Sequence, residues 1–454
     1  MKKDSRTQFD IMTQTPIPRL TMSLAIPSVI SMMVTTLYNM VDTWFVAQLG
    51  TLAVGACGIA FSIMEYISSI GYLFGMGSGT VIGMLLGSKK PKEASVLSST
   101  AFFTTLALGI LSAMLGLIFI QPLMRLLGSS EAILPYATAY SRYILIGIPI
   151  MSTSLVLSSI LRCEGKNKLS MIGIGSGAVL NMLLDPLFIF VFQLGISGAA
   201  LATLISQTVG LLVLLYFFLT GKTETRLALR SVTLNPAIHK KMLITGMPSL
   251  CRHGVATVAN IALNVAAGMY GGDMLIAAFS IVNKVTALIQ SVLKGIFQGA
   301  QSIFSYNKGA KRYDRVRSAY LFTLSFNTIL ITVTAFAMLA LSAPIIRLYN
   351  VSDPDVFALA VKVLIVHTFA LILMPWNFSG NTMLQSVGEP IKSALLASLP
   401  QGIYYIPALF ILPLLLGTNG VIYAPIIGQV LCAVTTLPVI LRYFSKIQHE
   451  TSQK

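Results

Sequence analysis

Long apolar runs alternate with short polar connections along the whole chain. Runs of about 20 apolar residues cross a bilayer as helices. Such runs are predicted near 20–46, 53–82, 95–120, 136–160, 168–192, 198–220, 243–268, 275–303, 319–342, 361–384, 393–415 and 420–441. No small-residue cleavage site follows a short apolar core at the start, so the first run reads as a span rather than a signal peptide. Pro27, Pro149, Pro186, Pro375, Pro407 and Pro425 fall inside runs. Neighbouring helices satisfy the carbonyls that a proline frees in a membrane bundle. The expected fold is an all-α polytopic membrane protein with twelve transmembrane helices.

Composition supports this pattern. The 454 residues are 55% hydrophobic and only 10% charged, whereas soluble domains are about 25% charged. So few charges cannot cover a soluble surface, which excludes a soluble enzyme. The net charge of +16 first suggests a nucleic-acid partner, but its distribution argues otherwise. The basic residues gather on alternate connections: Lys2, Lys3, Arg6 and Arg19; Lys89, Lys90 and Lys92; Arg162, Lys166 and Lys168; Lys222, Arg226, Arg230, Lys240 and Lys241; Lys308, Lys311, Arg312, Arg315 and Arg317; Lys392; and Arg442, Lys446 and Lys454. The intervening connections hold little more than Arg125 and Arg347, with Arg142 and Lys362 at their edges. Short basic loops mark the cytoplasmic side. Both termini are therefore expected in the cytoplasm, and no nucleic acid is expected as a partner.

Cys57, Cys163, Cys251 and Cys432 are scattered without a CxxC pair, and His239, His253, His367 and His449 do not cluster. That leaves no metal-ligand spacing and no disulfide framework. No GxxxxGK[ST] loop is present, so nucleotide hydrolysis has no site. No cofactor is expected, and any transport work would draw on an ion gradient.

The chain repeats itself. Pro27 in Ala-Ile-Pro-Ser matches Pro248 in Gly-Met-Pro-Ser, and Phe61-Ser62-Ile63 recurs as Phe279-Ser280-Ile281. Gly77, Gly87 and Lys89 match Gly299, Gly309 and Lys311, while Gly165 matches Gly388. Leu194-Gly195-x-x-Gly198 recurs as Leu416-Gly417-x-x-Gly420, and Gln207 matches Gln429. An even number of spans per repeat makes the repeats parallel, related by an axis along the membrane normal. The expected division is an N-lobe over 1–225 and a C-lobe over 226–454. Two such lobes rocking about a central site form a secondary transporter.

Acids inside spans are costly and mark function by default. Three lie clearly inside: Asp42, Glu65 and Asp185. Counting about 1.5 Å per residue from the outer ends, Asp42, Asp185 and Thr203 share a depth of roughly 8–10 Å. Asn181 stands four residues before Asp185, and Tyr38 four before Asp42, so each pair shares a helix face. Together they would form an oxygen-lined pocket in the N-lobe, suited to Na⁺ or to a proton on a poorly hydrated carboxylate. At a shift of 222 Asp42 maps to Asn264 and Asp185 to Pro407, so the pocket is expected in one lobe only. Glu65, near the middle of the second span, is expected in or beside the central cavity. Lys284 is expected as its partner across the lobes. Lys294 is expected to reach the cytoplasmic interface. Trp376 and Tyr404 are candidate cavity aromatics.

These residues resemble the multidrug and toxic compound extrusion (MATE) family, bacterial branch. The resemblance runs from about residue 16 to 444. It rests on Val-Asp-Thr-Trp-Phe-Val-Ala-Gln-Leu-Gly around Asp42, the Gly-rich stretch Gly75 to Gly87, Asn181-x-x-x-Asp185-Pro186, and Leu194-Gly-Ile-Ser-Gly-Ala-Ala-Leu-Ala-Thr203. It implies two six-helix lobes in a V, alternating access, and antiport of organic cations against H⁺ or Na⁺. It also implies a cation site at Asp42, Asn181, Asp185 and Thr203, with Tyr38 in the same network. The bend of the first helix is expected at Pro27. Acids that some members carry on the seventh and tenth spans are missing here, and Gln290 stands where part of the branch has a glutamate. Lys284 adds positive charge near the cavity, which leaves room for zwitterions or anions. The expected protein is a monomeric efflux antiporter of a bacterial cytoplasmic (inner) membrane, meeting small-molecule substrates and membrane lipids. The alternative is a flippase for a lipid-linked precursor on a related fold, in which Lys284, Lys294 and Arg252 contact a phosphate headgroup.

Overall fold

The computed structural model describes residues 7–349 and 353–452, with side chains described up to 447. Lys2, Lys3, Arg6 and Lys454, and the side chain of His449, lie outside the described residues. The described chain is helical almost throughout. Eleven helical runs are long and apolar enough to cross a membrane. One of them, Pro236–Gly309, is two helices joined at Gly272, whose φ of 60° and ψ of −160° break the helical path. Twelve spanning helices result: α1 (Ile17–Ala47), α2 (Thr51–Gly87), α3 (Pro91–Ile118), α4 (Leu134–Cys163), α5 (Asn167–Pro186), α6 (Gly195–Leu219), α7 (236–271), α8 (273–309), α9 (Tyr313–Ala340), α10 (Pro354–Ser386), α11 (Pro390–Leu416) and α12 (Thr418–Ser452). A wide turn over Leu187–Val191 extends α5, and α11 contains another at Leu399–Ile403.

The repeat is visible in the backbone. Left-handed turn positions recur as pairs: Gly50 and Gly272, Lys89 and Lys311, Gly165 and Gly388, Gly195 and Gly417. Only glycine enters that region without steric cost, which explains three of the four pairs.

Packing differs at the two ends of the bundle. One hydrophobic core spans 46–200 and is built from the first half of the chain alone. Another spans 259–424 and is built from the second half of the chain alone. A third joins both halves, with Leu20, Phe74, Ile82 and Leu161 packed among Met242, Ile303, Phe304 and Met383. That shared core lies at the end bearing the basic loops. The two sets of helices are thus joined at that end, and the space between them opens at the other.

Backbones touch at the joint. A Cβ at Gly87 would overlap the Tyr306 carbonyl, and one at its repeat mate Gly309 would overlap the Met84 carbonyl. Small residues permit this approach, the usual device of helix packing in a membrane. The N-terminal helix Gln8–Gln14 lies across the same end. Asn307 Nδ2 donates to the Met12 carbonyl (3.2 Å), Arg312 to the Thr13 carbonyl (3.1 Å) and Arg315 to the Thr15 carbonyl (2.6 Å). Gln8 Nε2 donates to the Glu164 carbonyl (3.0 Å). The segment between α6 and α7 is strapped to the first six helices. Glu164 accepts from the backbone N–H groups of Glu224 and Thr225 (2.9 and 3.0 Å), and Ser99 bonds to Arg226 and Ala228.

Candidate functional site

The buried carboxyl pocket lies among α1, α5 and α6. Asn181 Nδ2 donates to Asp185 Oδ1 at 3.1 Å and to Thr203 Oγ1 at 3.3 Å. Asn181, Asp185 and Thr203 are almost wholly buried. The four-residue spacing on α5 puts Asn181 one turn below Asp185, and Thr203 on α6 closes the group. Asp42 reaches in from α1, within hydrogen-bond range of Asp185. Two carboxyl groups hold such a contact only through a shared proton or an intervening cation, because like charges at that range repel. Asp42 Oδ1, Asn181 Oδ1 and Asp185 Oδ2 are buried and receive no donor among the described residues. A buried oxygen without a donor loses its hydration. Three such oxygens on residues of one pocket offer acceptors to a hard cation or a proton. Tyr38 lies within electrostatic range of both carboxyls. Tyr140 and Cys57 lie near Asp42 and were not anticipated from sequence.

Nothing equivalent forms in the second repeat. Asn264 and Pro407 lie on exposed faces of α7 and α11. The wide turn of α11 precedes Pro407, whereas that of α5 follows Asp185. A wide turn holds about one extra residue, and one residue is about 100° of rotation. Equal sequence shift therefore does not give equal direction.

α1 runs unbroken through Pro27. Asn167 Nδ2 holds it there, donating to the Leu24 carbonyl and to Ser28 Oγ, both at 2.9 Å.

The central cavity has two connected chambers between the repeats. The inner one, about 300 Å³, is lined mainly by α7, α8, α10 and α11, with Met32, Tyr72 and Met76 from the other side. The outer one, about 610 Å³, adds Thr35, Thr36, Phe61 and Asn283. Gln290 lines both. Several sequence expectations are corrected here. Glu65 does meet a partner from the second repeat, but the partner is His253: their Oε2 and Nδ1 lie 3.7 Å apart. Lys284 is exposed, lines neither chamber and forms no ion pair with Glu65 among the described residues. Lys294, expected at the cytoplasmic interface, instead lines both chambers. Ten residues are nearly three turns, so Lys284 and Lys294 stand at different depths of α8. Trp376 and Tyr404 line neither chamber, while their neighbours Asn377 and Tyr405 do. A one-residue error on a helix turns the side chain by about 100°. Arg252, named from sequence only as a headgroup contact of the flippase alternative, also lines the inner chamber, as does His253; a base inside an apolar run is as costly as an acid.

The MatE family model matches residues 27–187 and 248–411, so it begins at Pro27 and again at its repeat mate Pro248. The chain is 24% identical over 454 residues to the multidrug export protein MepA of Staphylococcus aureus (strain MSSA476), covering 100% of this chain and 99% of that one. Its fold matches a structure described as the outward-facing conformation of a multidrug resistance MATE family transporter of the MOP superfamily, with TM-score 0.93, 24% identity, and 98% and 99% of the two chains covered. A transporter from Pyrococcus furiosus Vc1, described as having a binding pocket of reverse polarity that suggests a different function, matches with TM-score 0.92, 25% identity and the same coverage. The chain belongs to the MatE family. It is a multi-pass membrane transporter of small molecules and not an enzyme.

Proposed function

We propose that the protein exports amphipathic organic compounds across a bacterial cytoplasmic membrane, driven by inward flow of H⁺ or Na⁺ through Asp42, Asp185, Asn181 and Thr203. The observation that carries this reading is a buried group in which Asn181 bonds to Asp185 and Thr203 while Asp42, Asn181 and Asp185 each keep a buried oxygen without a donor among the described residues. The basic loops stand on the cytoplasmic side, so the cavity faces outward. Occupation of the carboxyl pocket changes how α1 sits against α5 and α6, with Pro27 as the point of bending. α1 also supplies Met32, Thr35 and Thr36 to the cavity, so a bend would alter the substrate space directly. Met and aromatic side chains there offer adaptable apolar contact. The name of the Staphylococcus relative supports export of varied compounds. The cationic-substrate expectation finds no carboxylate on the chamber walls in its favour.

A second reading, a flippase for a lipid-linked precursor, is favoured by one observation: Arg252 and Lys294 line the inner chamber. The test is uptake or efflux of a fluorescent amphiphile by proteoliposomes under separately imposed Na⁺ and proton gradients. Wild-type transport should need one gradient and vanish in Asp185→Asn. Transport indifferent to both gradients and to that substitution would sink the coupling site.

A further inference from the structure

Every permanent charge on the wall of the central cavity is positive. Arg252 and Lys294 line the inner chamber with His253, and Lys294 and His367 line the outer one. No Asp or Glu lines either among the described residues. Arg252 is held by neutral groups only. Its guanidinium donates to Asn381 Oδ1 at 3.4 Å and Ser249 Oγ at 3.3 Å, and lies 5.4 Å from the centre of the Phe378 ring. Both hydrogen bonds are long, so the fork keeps capacity for an acceptor. Lys294 has no hydrogen-bond or ion-pair partner among the described residues, and the charged groups near it are Arg252 and Glu65. Glu65 lies off the chamber wall, against His253, which also stacks on Tyr72 with ring centres 5.0 Å apart. Two fixed cations therefore face one carboxylate that already has a partner.

A base at membrane depth costs free energy unless something offsets it. Here the protein supplies no offsetting acid on the wall. A guanidinium matches carboxylate and phosphate oxygens in a two-pronged geometry, and an ammonium adds a movable point charge. Phe297, Phe378 and Met374 lie beside them, giving an apolar surface next to the charge. Amide side chains such as Gln290 and Gln301 complete the wall; they hydrogen-bond to either sign of charge and so do not set the preference.

We propose that Arg252 and Lys294 form an anion-binding subsite, and that the transported compounds are amphiphiles carrying a carboxylate, sulfonate or phosphate group. This deepens the transporter reading above and rests on it for the word transported. The binding itself needs no gradient. A soluble organic anion and an anionic lipid headgroup present the same chemistry to this subsite.

The test is equilibrium binding to the purified full chain, read by fluorescence anisotropy. Two probes share a pyrene body on a butyl chain, one ending in a carboxylate and one in a trimethylammonium group. A third is a pyrene-labelled phosphatidate in nanodiscs. The carboxylate probe should bind at least about tenfold tighter than the ammonium probe, a difference of about 1.4 kcal/mol. Arg252→Gln and Lys294→Gln should each weaken the carboxylate probe about tenfold and leave the ammonium probe within about threefold, while Lys294→Arg restores most of the affinity. Binding of the phosphatidate alone, with the same dependence on both residues, supports the subsite and assigns the ligand to the membrane. Equal or tighter binding of the ammonium probe by the wild type overturns the proposal without any variant. Unchanged carboxylate affinity in both Gln variants overturns it too. Asp185→Asn should keep the anion preference, so failure of ion coupling and failure of the subsite are separate results.

Discussion

The two repeats share a helical plan and left-handed turns at matching positions, yet they carry opposite charges in the membrane. The first repeat groups Asp42 and Asp185 with Asn181 and Thr203, none of which lines either chamber. The second presents Arg252 and Lys294 to the cavity and has Asn264 and Pro407 where the acids would fall. Two equivalent frames thus carry different side chains. In the proposals above, one frame takes a small cation and the other a larger ligand of the opposite sign. α1 and α2 border both spaces, which is how occupation of one would be felt at the other.

The sharpest way to break this comparison is to remove the acid. Asp185→Asn keeps size and most hydrogen bonding. Gradient-driven transport in proteoliposomes should fall by about 100-fold or more, matching a lost coupling of about 2.7 kcal/mol, with the protein still folded by size-exclusion chromatography.

Next comes the joint on which both frames close. In Gly87→Val the new side chain would press on the Tyr306 carbonyl. Overpacking of about 1–3 kcal/mol should favour separation of the lobes at the basic-loop end. Hydrogen exchange around 84–88 and 302–309 should quicken, and transport should fall. Gly309→Val should behave alike if the two repeats are equivalent there.

A smaller effect is expected at the N-terminal strap. Asn307→Ala removes a donor from the Met12 carbonyl. It should loosen Gln8–Gln14 by about 1 kcal/mol, the worth of one hydrogen bond, seen as faster exchange over that helix with α4 unaffected.

The smallest effect is predicted for an attempt to make the lobes alike. Asn264→Asp should neither add a second coupled ion nor rescue Asp42→Asn. Its would-be partner is a proline, and both positions lie on exposed faces. Transport is expected to stay within about twofold, well under the 1.4 kcal/mol of a tenfold change. Rescue would mean that the repeats remain interchangeable.

Much of the carboxyl pocket was legible in sequence because its geometry is local. Asn181 and Asp185 are one helical turn apart, and depth follows from counting residues to a helix end. The cavity was less legible. Glu65 was expected to meet a base across the lobes and does, but the base is His253. Choosing between Lys284 and His253 requires the rotation and crossing of helices from different repeats, and neither leaves a trace in spacing. Lys294 was misplaced for the same reason. The basic residues Arg312 and Arg315 read as topology signals, and they also tie down the N-terminal segment through carbonyl groups that no sequence pattern marks.

Sequence alone determined the twelve spans, the duplication, the alternation of basic and less basic connections, and the presence of acids deep inside the spans of one repeat only. Each follows from solvation or from local periodicity, which act residue by residue. Tertiary structure alone decided which end of the bundle is closed, that Gly87 and Gly309 meet opposite carbonyls, and that the cavity wall is basic. Those outcomes depend on how helices rotate and cross. A rotation of one residue turns a side chain from lipid to cavity, while the hydrophobic pattern of a helix apolar on all sides barely changes.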